Sequence, residues 1–172
     1  MKTPYPVYWP QFYTATILEW KELLSDNKMK DVIVESLQWL VLNNRIVLNA
    51  FVRMSNHIHL IWQPINGFTP SNIQASFMKH TSKQLLRLIR ESNPIMLDDF
   101  KVNKGDREFQ IWKREPLGTE LFTPEVFYQK LDYIHNNPVK AGLCKYAEAY
   151  YYSSAKFYHD GTDYFKMLSH YL

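Results

Sequence analysis

Apolar positions along this chain change period several times, and each change marks an element. Tyr8 to Trp20 is rich in Tyr, Phe, Thr and Ile and reads as a strand. From Lys28 to Asn43 the apolar residues Val32, Ile33, Leu37, Leu40 and Val41 fall at helical spacing. Two β-like runs follow, "IVLNAFVRM" (Ile46–Met54) and "HIHLIWQP" (His57–Pro64). Only Ser55 and Asn56 separate them, which predicts a hairpin. Ser71 to Ser92 predicts a longer helix, and "FQIWKRE" (Phe109–Glu115) another strand. Thr123-Pro124-Glu125 is a helix start, an N-cap followed by Pro at the first helical position. That helix is expected to end near Asn137, because Pro138 biases its predecessor away from helix. Gly142 marks a turn. The tail from Tyr146 to Leu172 is aromatic and follows neither period.

The order β-α-β-β-α-β is that of the split βαβ, or ferredoxin-like, arrangement. The expectation is an α+β fold, with an antiparallel sheet and helices packed on one face. At 172 residues the chain suits a single domain. Its core is expected over about residues 8–145, with residues 146–172 as a C-terminal tail.

Composition narrows the function classes. Hydrophobic residues make up 46%, enough for a packed core, and the single Cys144 rules out an internal disulfide and a Cys-x-x-Cys zinc site. No apolar run reaches the ~18–20 residues that span a bilayer, and "MKTPYPVYWPQFYT" has no apolar signal-peptide core. A cytoplasmic protein without a membrane role is expected. The formal net charge of +3 permits a nucleic-acid partner without requiring one.

Candidate chemistry begins at "MSNHIHLIW" (Met54–Trp62). Alternate residues of a strand share a face, so His57 and His59 stand about 7 Å apart on one side. Ile58 and Leu60 then face the core. Two neutral imidazoles converging on one point form half of a metal site. Hydrogen-bonded histidines at a strand start would show the same spacing. The His-Glu-x-x-His pattern of a zinc protease is missing, and a histidine-triad hydrolase would need His where Ile61 stands.

The helix "YQKLDYIHNNPVKAG" (Tyr128–Gly142) places Tyr133 and Asn137 at i and i+4, on one face. Phe127, Leu131 and Ile134 form an adjoining apolar stripe suited to pack on the sheet. His135 lies about 160° round the helix from Tyr133, away from that site. Asn137 can offer an amide oxygen to a hard cation. Read alone, Tyr133 could equally be a packing residue in a chain with 12 tyrosines.

On the long helix Lys79, Lys83, Arg87 and Arg90 fall within an arc of roughly 100°, with His80 at its edge. The arc suits a phosphate-tracking surface or an ordinary solvated face. Trp112, Lys113 and Arg114 alternate strand faces beside the site, as do Trp62 and Gln63; aromatics next to cations suit stacking on unpaired bases.

These pieces together resemble a known family. "FVRMSNHIHLIW", "FQIWKRE", "LDYIHNNPVKAGL" and "YYYSSA" fall in the order seen in the single-tyrosine transposases with a His-hydrophobic-His motif, above all the REP-associated tyrosine transposases. The resemblance runs from about Tyr13 to Tyr158. It implies that His57, His59 and Asn137 hold one Mg²⁺ or Mn²⁺. It implies that Tyr133 attacks a phosphodiester of single-stranded DNA, giving a 5′-phosphotyrosine and a free 3′-OH. The implied partner is single-stranded DNA with hairpin or palindromic repeats, and the implied location is the nucleoid. Both monomers and homodimers occur in the family. Ser55 stands where the family has Pro, and "KREPLGTEL" is less basic than the family's pattern. Two other readings share these residues: a catalytically inactive single-strand or hairpin binder, and a replication initiator or relaxase, which is usually longer.

Overall fold

The computed structural model describes residues 7–114 and 116–171. The first six residues, Glu115 and Leu172 lie outside them. So do part of the N-terminal stretch read above, the last residue of the expected strand Phe109–Glu115, and the last residue of the tail.

Strand β1 (Gln11–Thr16) opens the fold, shorter than the strand expected over Tyr8 to Trp20. Helix α1 (Asn27–Leu42) starts where Asp26 accepts the Lys28 backbone N–H at 2.7 Å. Strands β2 (Ile46–Arg53) and β3 (His57–Pro64) form the expected hairpin, closed by Met54 N–H donating to the His57 carbonyl at 2.9 Å. Helix α2 (Pro70–Ser92) is capped by Thr69. Next come a small separate hairpin, β4 (Lys101–Lys104) with β5 (Arg107–Phe109), then β6 (Leu117–Glu120), α3 (Pro124–Lys140) and the short α4 (Ala155–Asp160).

The main sheet is antiparallel with the order β2-β3-β1-β6, the split βαβ order. Side-chain alternation gives it two apolar faces. On one, Tyr13, Ala15, Leu48, Phe51, Ile58, Leu60 and Trp62 meet the buried stripes of α1 and α2. On the other, Phe12, Ala50, Val52 and Ile61 meet Phe127, Leu131 and Ile134 of α3. The two crossover helices thus share one face as expected, and the third helix is the exception, covering the opposite face. The amphipathic pattern of α3 fixes which of its own sides is buried. It carries no information about which side of the sheet receives it.

Besides β1, two further elements differ from the sequence reading. "FQIWKRE" supplies no strand to the main sheet. Phe109 ends β5, and Trp112 makes only an isolated bridge to Ile17. The fourth strand is β6, whose four positions are all exposed, so it carries no apolar alternation to read. Helix α3 also continues past Asn137 to Lys140, with Pro138 inside it. Pro138 sits in the last turn, where its missing N–H costs a single bond to the Ile134 carbonyl. Gly142, at φ +74°, then closes the helix through its N–H to the Val139 carbonyl.

The tail is part of the fold. Arg53 N–H donates to the Tyr152 carbonyl, Ser154 N–H to Phe51 and Ser169 N–H to Leu48, so the segment runs along the outer edge of β2. Arg53 lies over the Tyr152 ring at 3.7 Å. Covering this edge removes one template for strand-to-strand aggregation.

Candidate functional site

Strand β3 delivers His57 and His59 to the α3 face, one on each side of Ile58, which points into the opposite core. Their ring centroids are 4.8 Å apart. The ladder register sets Thr14 of β1 opposite His59, and Thr14 Oγ1 lies 2.7 Å from His59 Nδ1. On the other side, Asn56 Oδ1 lies 2.7 Å from His57 Nδ1. Each imidazole therefore has its Nδ1 engaged by an oxygen, which leaves its Nε2 to meet other groups. Outer partners of this kind fix ring orientation and tautomer in metal-binding histidines.

Helix α3 crosses above the pair. One turn separates Tyr133 from Asn137, and the structure brings both to the histidines. Asn137 Oδ1 is 3.3 Å from His57 Nε2, and the Tyr133 ring is 5.2 Å from the His59 ring. Phe12 fills the floor, stacked on His59 at 5.4 Å and edge-on to Tyr133 at 5.9 Å. Tyr133 itself remains 44% exposed, with its ring anchored on the site and its surface open to solvent. Lys130, one turn before Tyr133, sets its ammonium 4.8 Å from the Phe12 ring centre and 5.8 Å from that of Tyr133.

Burial decides the charge of the imidazoles. His59 is 5% exposed, and burial, aided by His57 and the Lys130 charge, pushes its pKa down to about 3. Burial also lowers His57, opposed by its contact with Asn137. Both are neutral at neutral pH, the form that donates a lone pair. A neutral imidazole has one N–H. If His57 Nδ1–H points to Asn56, its Nε2 lone pair faces the Asn137 oxygen, acceptor to acceptor. Turning the Asn137 amide satisfies this pair, and so does a cation between the two atoms. Adjacent ligands of an octahedral ion at ~2.1 Å stand about 3 Å apart, close to the separation found. Among the described residues no three His, Cys, Asp or Glu side chains converge on one point. Two imidazoles and an amide oxygen could serve a cation as donors, which would leave positions for water or a phosphate oxygen.

His135 is directed elsewhere, as its angle on the helix predicts. Its Nε2 lies 2.8 Å from Ser154 Oγ. Thr14, Asn56 and Lys130 escaped the sequence reading. Lys130 was within reach, three residues before Tyr133 on the same helix.

The basic and aromatic candidates are dispersed. Lys79, Lys83, Arg87 and Arg90 are exposed on α2, across the sheet from the histidines. Arg87 is 3.5 Å from Glu91, and Arg90 lies over Phe109 at 5.7 Å. Trp112 has to be withdrawn as a base-stacking residue. Its ring is buried, and its Nε1–H donates to Thr81 Oγ1 at 3.0 Å. Trp62 is buried in the same core. Lys113 and Arg114 are exposed; Arg114 lies 3.5 Å from Asp106, and Lys113 lies 5.7 Å from the ring of Trp20.

A four-stranded antiparallel sheet with a His-Ile-His strand and a tyrosine helix laid across it defines the class of fold. Comparison with solved structures finds the same fold in two proteins described as transposases. The chain has the fold of a REP-associated tyrosine transposase solved bound to a REP hairpin: TM-score 0.65, 17% identity, over 100% of this chain and 98% of that one. It also resembles a candidate transposase from Deinococcus radiodurans R1, with TM-score 0.51 and 12% identity over 79% of this chain and 96% of the other. No protein-family model and no curated protein matches the sequence. Among the described residues no helix is long and apolar enough to cross a membrane.

Proposed function

We propose that this protein is a transposase that cleaves and rejoins single-stranded DNA beside a hairpin, with Tyr133 as the nucleophile. The observation that carries the reading is the meeting of four side chains from two distant segments: His57 and His59 from β3, Tyr133 and Asn137 from α3. A shared fold with a hairpin-bound transposase supports the same partner class.

His57, His59 and Asn137 would hold one Mg²⁺ or Mn²⁺, with Mn²⁺ the better match to imidazole nitrogen. Such an ion supplies Lewis-acid polarisation of the scissile phosphate. The chain's own groups do the rest. Tyr133 Oη attacks phosphorus, the new Tyr O–P bond forms, and the P–O3′ bond breaks. The phenolic proton is released, and the leaving 3′-oxygen takes up a proton. The intermediate keeps a phosphodiester, so a second 3′-OH can attack it and release Tyr133 without a nucleotide cofactor. Thr14 and Asn56 hold the two imidazoles in orientation. Lys130 sets a positive charge at the rim, where phosphate oxygens would lie.

The test is a covalent protein–DNA species on denaturing gels, using labelled hairpin-flanked single strands with Mn²⁺. Wild type should form it and Tyr133→Phe should not. An adduct that persists in Tyr133→Phe would place the nucleophile elsewhere. No adduct from wild type on any hairpin of its own genomic flanks would favour a protein that binds such DNA without cutting it.

A further inference from the structure

Lys113 was paired in the sequence with Trp112, but the structure pairs it with Trp20. From this we infer a nucleotide-binding subsite beside the candidate cleavage centre, in which Trp20 stacks on one unpaired base and Lys113 neutralises its phosphate. The inference rests on the proposed function for the identity of the ligand, single-stranded DNA.

Trp20 is 58% exposed although indole is costly to leave in water. It follows Glu19, and both hold left-handed backbone, at φ 53° and 58°. Residues with a Cβ pay roughly 1 kcal/mol or more for that region. The segment is nonetheless tied down. Trp20 N–H donates to the Ile17 carbonyl at 2.9 Å, Ile17 N–H to Asn56 at 2.8 Å, and Leu24 N–H to Ser55 at 2.8 Å. The ring is therefore presented on a fixed support, which limits the ordering cost of stacking.

Its address matters as much as its exposure. Asn56 Nδ2 reaches the Trp20 carbonyl at 3.4 Å, while Asn56 Oδ1 engages His57. One amide thus links the indole loop to a candidate metal ligand. Lys113 arrives from the other side, its N–H donating to the carbonyl of Thr16, the residue opposite His57 in the ladder. Exposed Trp9 and Trp39 lack this placement. Trp9 packs edge-on against Phe122, and the Trp39 face is covered by Arg45 at 4.4 Å.

The probe is single-stranded oligo(dT) carrying one 2-aminopurine, moved along the strand position by position. Binding is measured without divalent metal in the Tyr133→Phe protein, so no chemistry intervenes. One position should be strongly quenched on binding, and Trp20→Ala should abolish that quenching and weaken affinity about 5- to 150-fold. Trp20→Phe, which keeps a ring, should retain part of both. Lys113→Ala should lower the slope of log affinity against log salt by about 0.7, the value for one phosphate contact on a single strand. Unchanged affinity and unchanged quenching in Trp20→Ala would overturn the subsite. If Trp20-dependent binding holds while wild type forms no adduct, the subsite stands and the cleavage reading falls.

Discussion

On β3, Ile58 and Leu60 turn to one side of the sheet, and His57 and His59 to the other. The side toward α1 and α2 is packed with large apolar groups, Trp62, Phe77 and Leu85 among them. The side toward α3 buries polar rings among apolar ones and leaves Tyr133 open. Two tyrosines make the contrast sharp. Tyr13 is fully buried on the first side, where its hydroxyl finds no partner among the described residues and burial drives its pKa upward. Tyr133, on the second side, is 44% exposed beside two neutral imidazoles. One sheet thus spends one face on stability and the other on groups that can react.

The largest effect should come from exchanging the same atom on the two sides. Tyr133→Phe is expected to abolish the covalent adduct and to leave stability within about 0.5 kcal/mol, since its hydroxyl is not part of the packing. Tyr13→Phe should leave the adduct intact and raise stability by about 1 kcal/mol, because a buried unpaired hydroxyl is removed. Gel assays and urea melts on both variants give the answer. Loss of the adduct in Tyr13→Phe would erase the distinction between the faces.

A smaller effect tests the support of the polar side. Thr14→Val keeps the β-branched shape and removes the oxygen beside His59 Nδ1. Outer partners of metal-binding histidines are worth about 10- to 100-fold in affinity. Mn²⁺ titration followed by electron paramagnetic resonance should show a loss of that order at unchanged thermal stability. Equal Mn²⁺ affinity in Thr14→Val and wild type would mean that Thr14 serves the strand alone.

Acid should separate the faces next. Burial holds His135, against Ser154 on the α3 side, down at about 4, whereas an unfolded His titrates near 6.5. Between about pH 6.5 and 4 the unfolded chain therefore carries a proton that the folded chain lacks. Stability present above that window falls as pH drops through it, by ~1.4 kcal/mol per pH unit for this one group. His135→Phe should flatten the slope by that amount, since Ser154 keeps its bonds to Phe51. His57 and His59, which burial also holds low, contribute to the remaining slope. Urea melts across the window decide it, and an unchanged slope would mean His135 is protonated in the fold.

Legibility follows the same division. Helices α1 and α2 could be read because each buries one side and shows a helical period, and the hairpin because two apolar runs, buried on both faces of the sheet, are separated by only Ser55 and Asn56. Asn137 reached His57 because i,i+4 spacing survives in the structure despite Pro138. What stayed hidden depends on tertiary placement. Thr14 meets His59 through strand register, which no local pattern encodes. Trp112 looked like a surface aromatic among cations until Thr81 of α2 claimed its N–H. Strand β6 has no buried position to betray it.

The smallest effect concerns the far side of α2. Lys83 and Arg87 are exposed there, across the sheet from the histidines, and Arg87 is shared with Glu91 at 3.5 Å. An exposed pair of that kind contributes little to stability. Replacing both with Ala should therefore leave the urea melt unchanged within about 0.5 kcal/mol. If hairpin DNA wraps round the domain to this side, the double variant should bind more weakly and lose up to about 2 from its salt slope, one for each phosphate contact. Trp20→Ala makes the complementary measurement, since stacking releases few counterions: affinity should fall while the salt slope holds. A double variant with unchanged affinity and slope would confine DNA to the α3 side of the sheet, and the contrast between the two faces would then extend to the ligand.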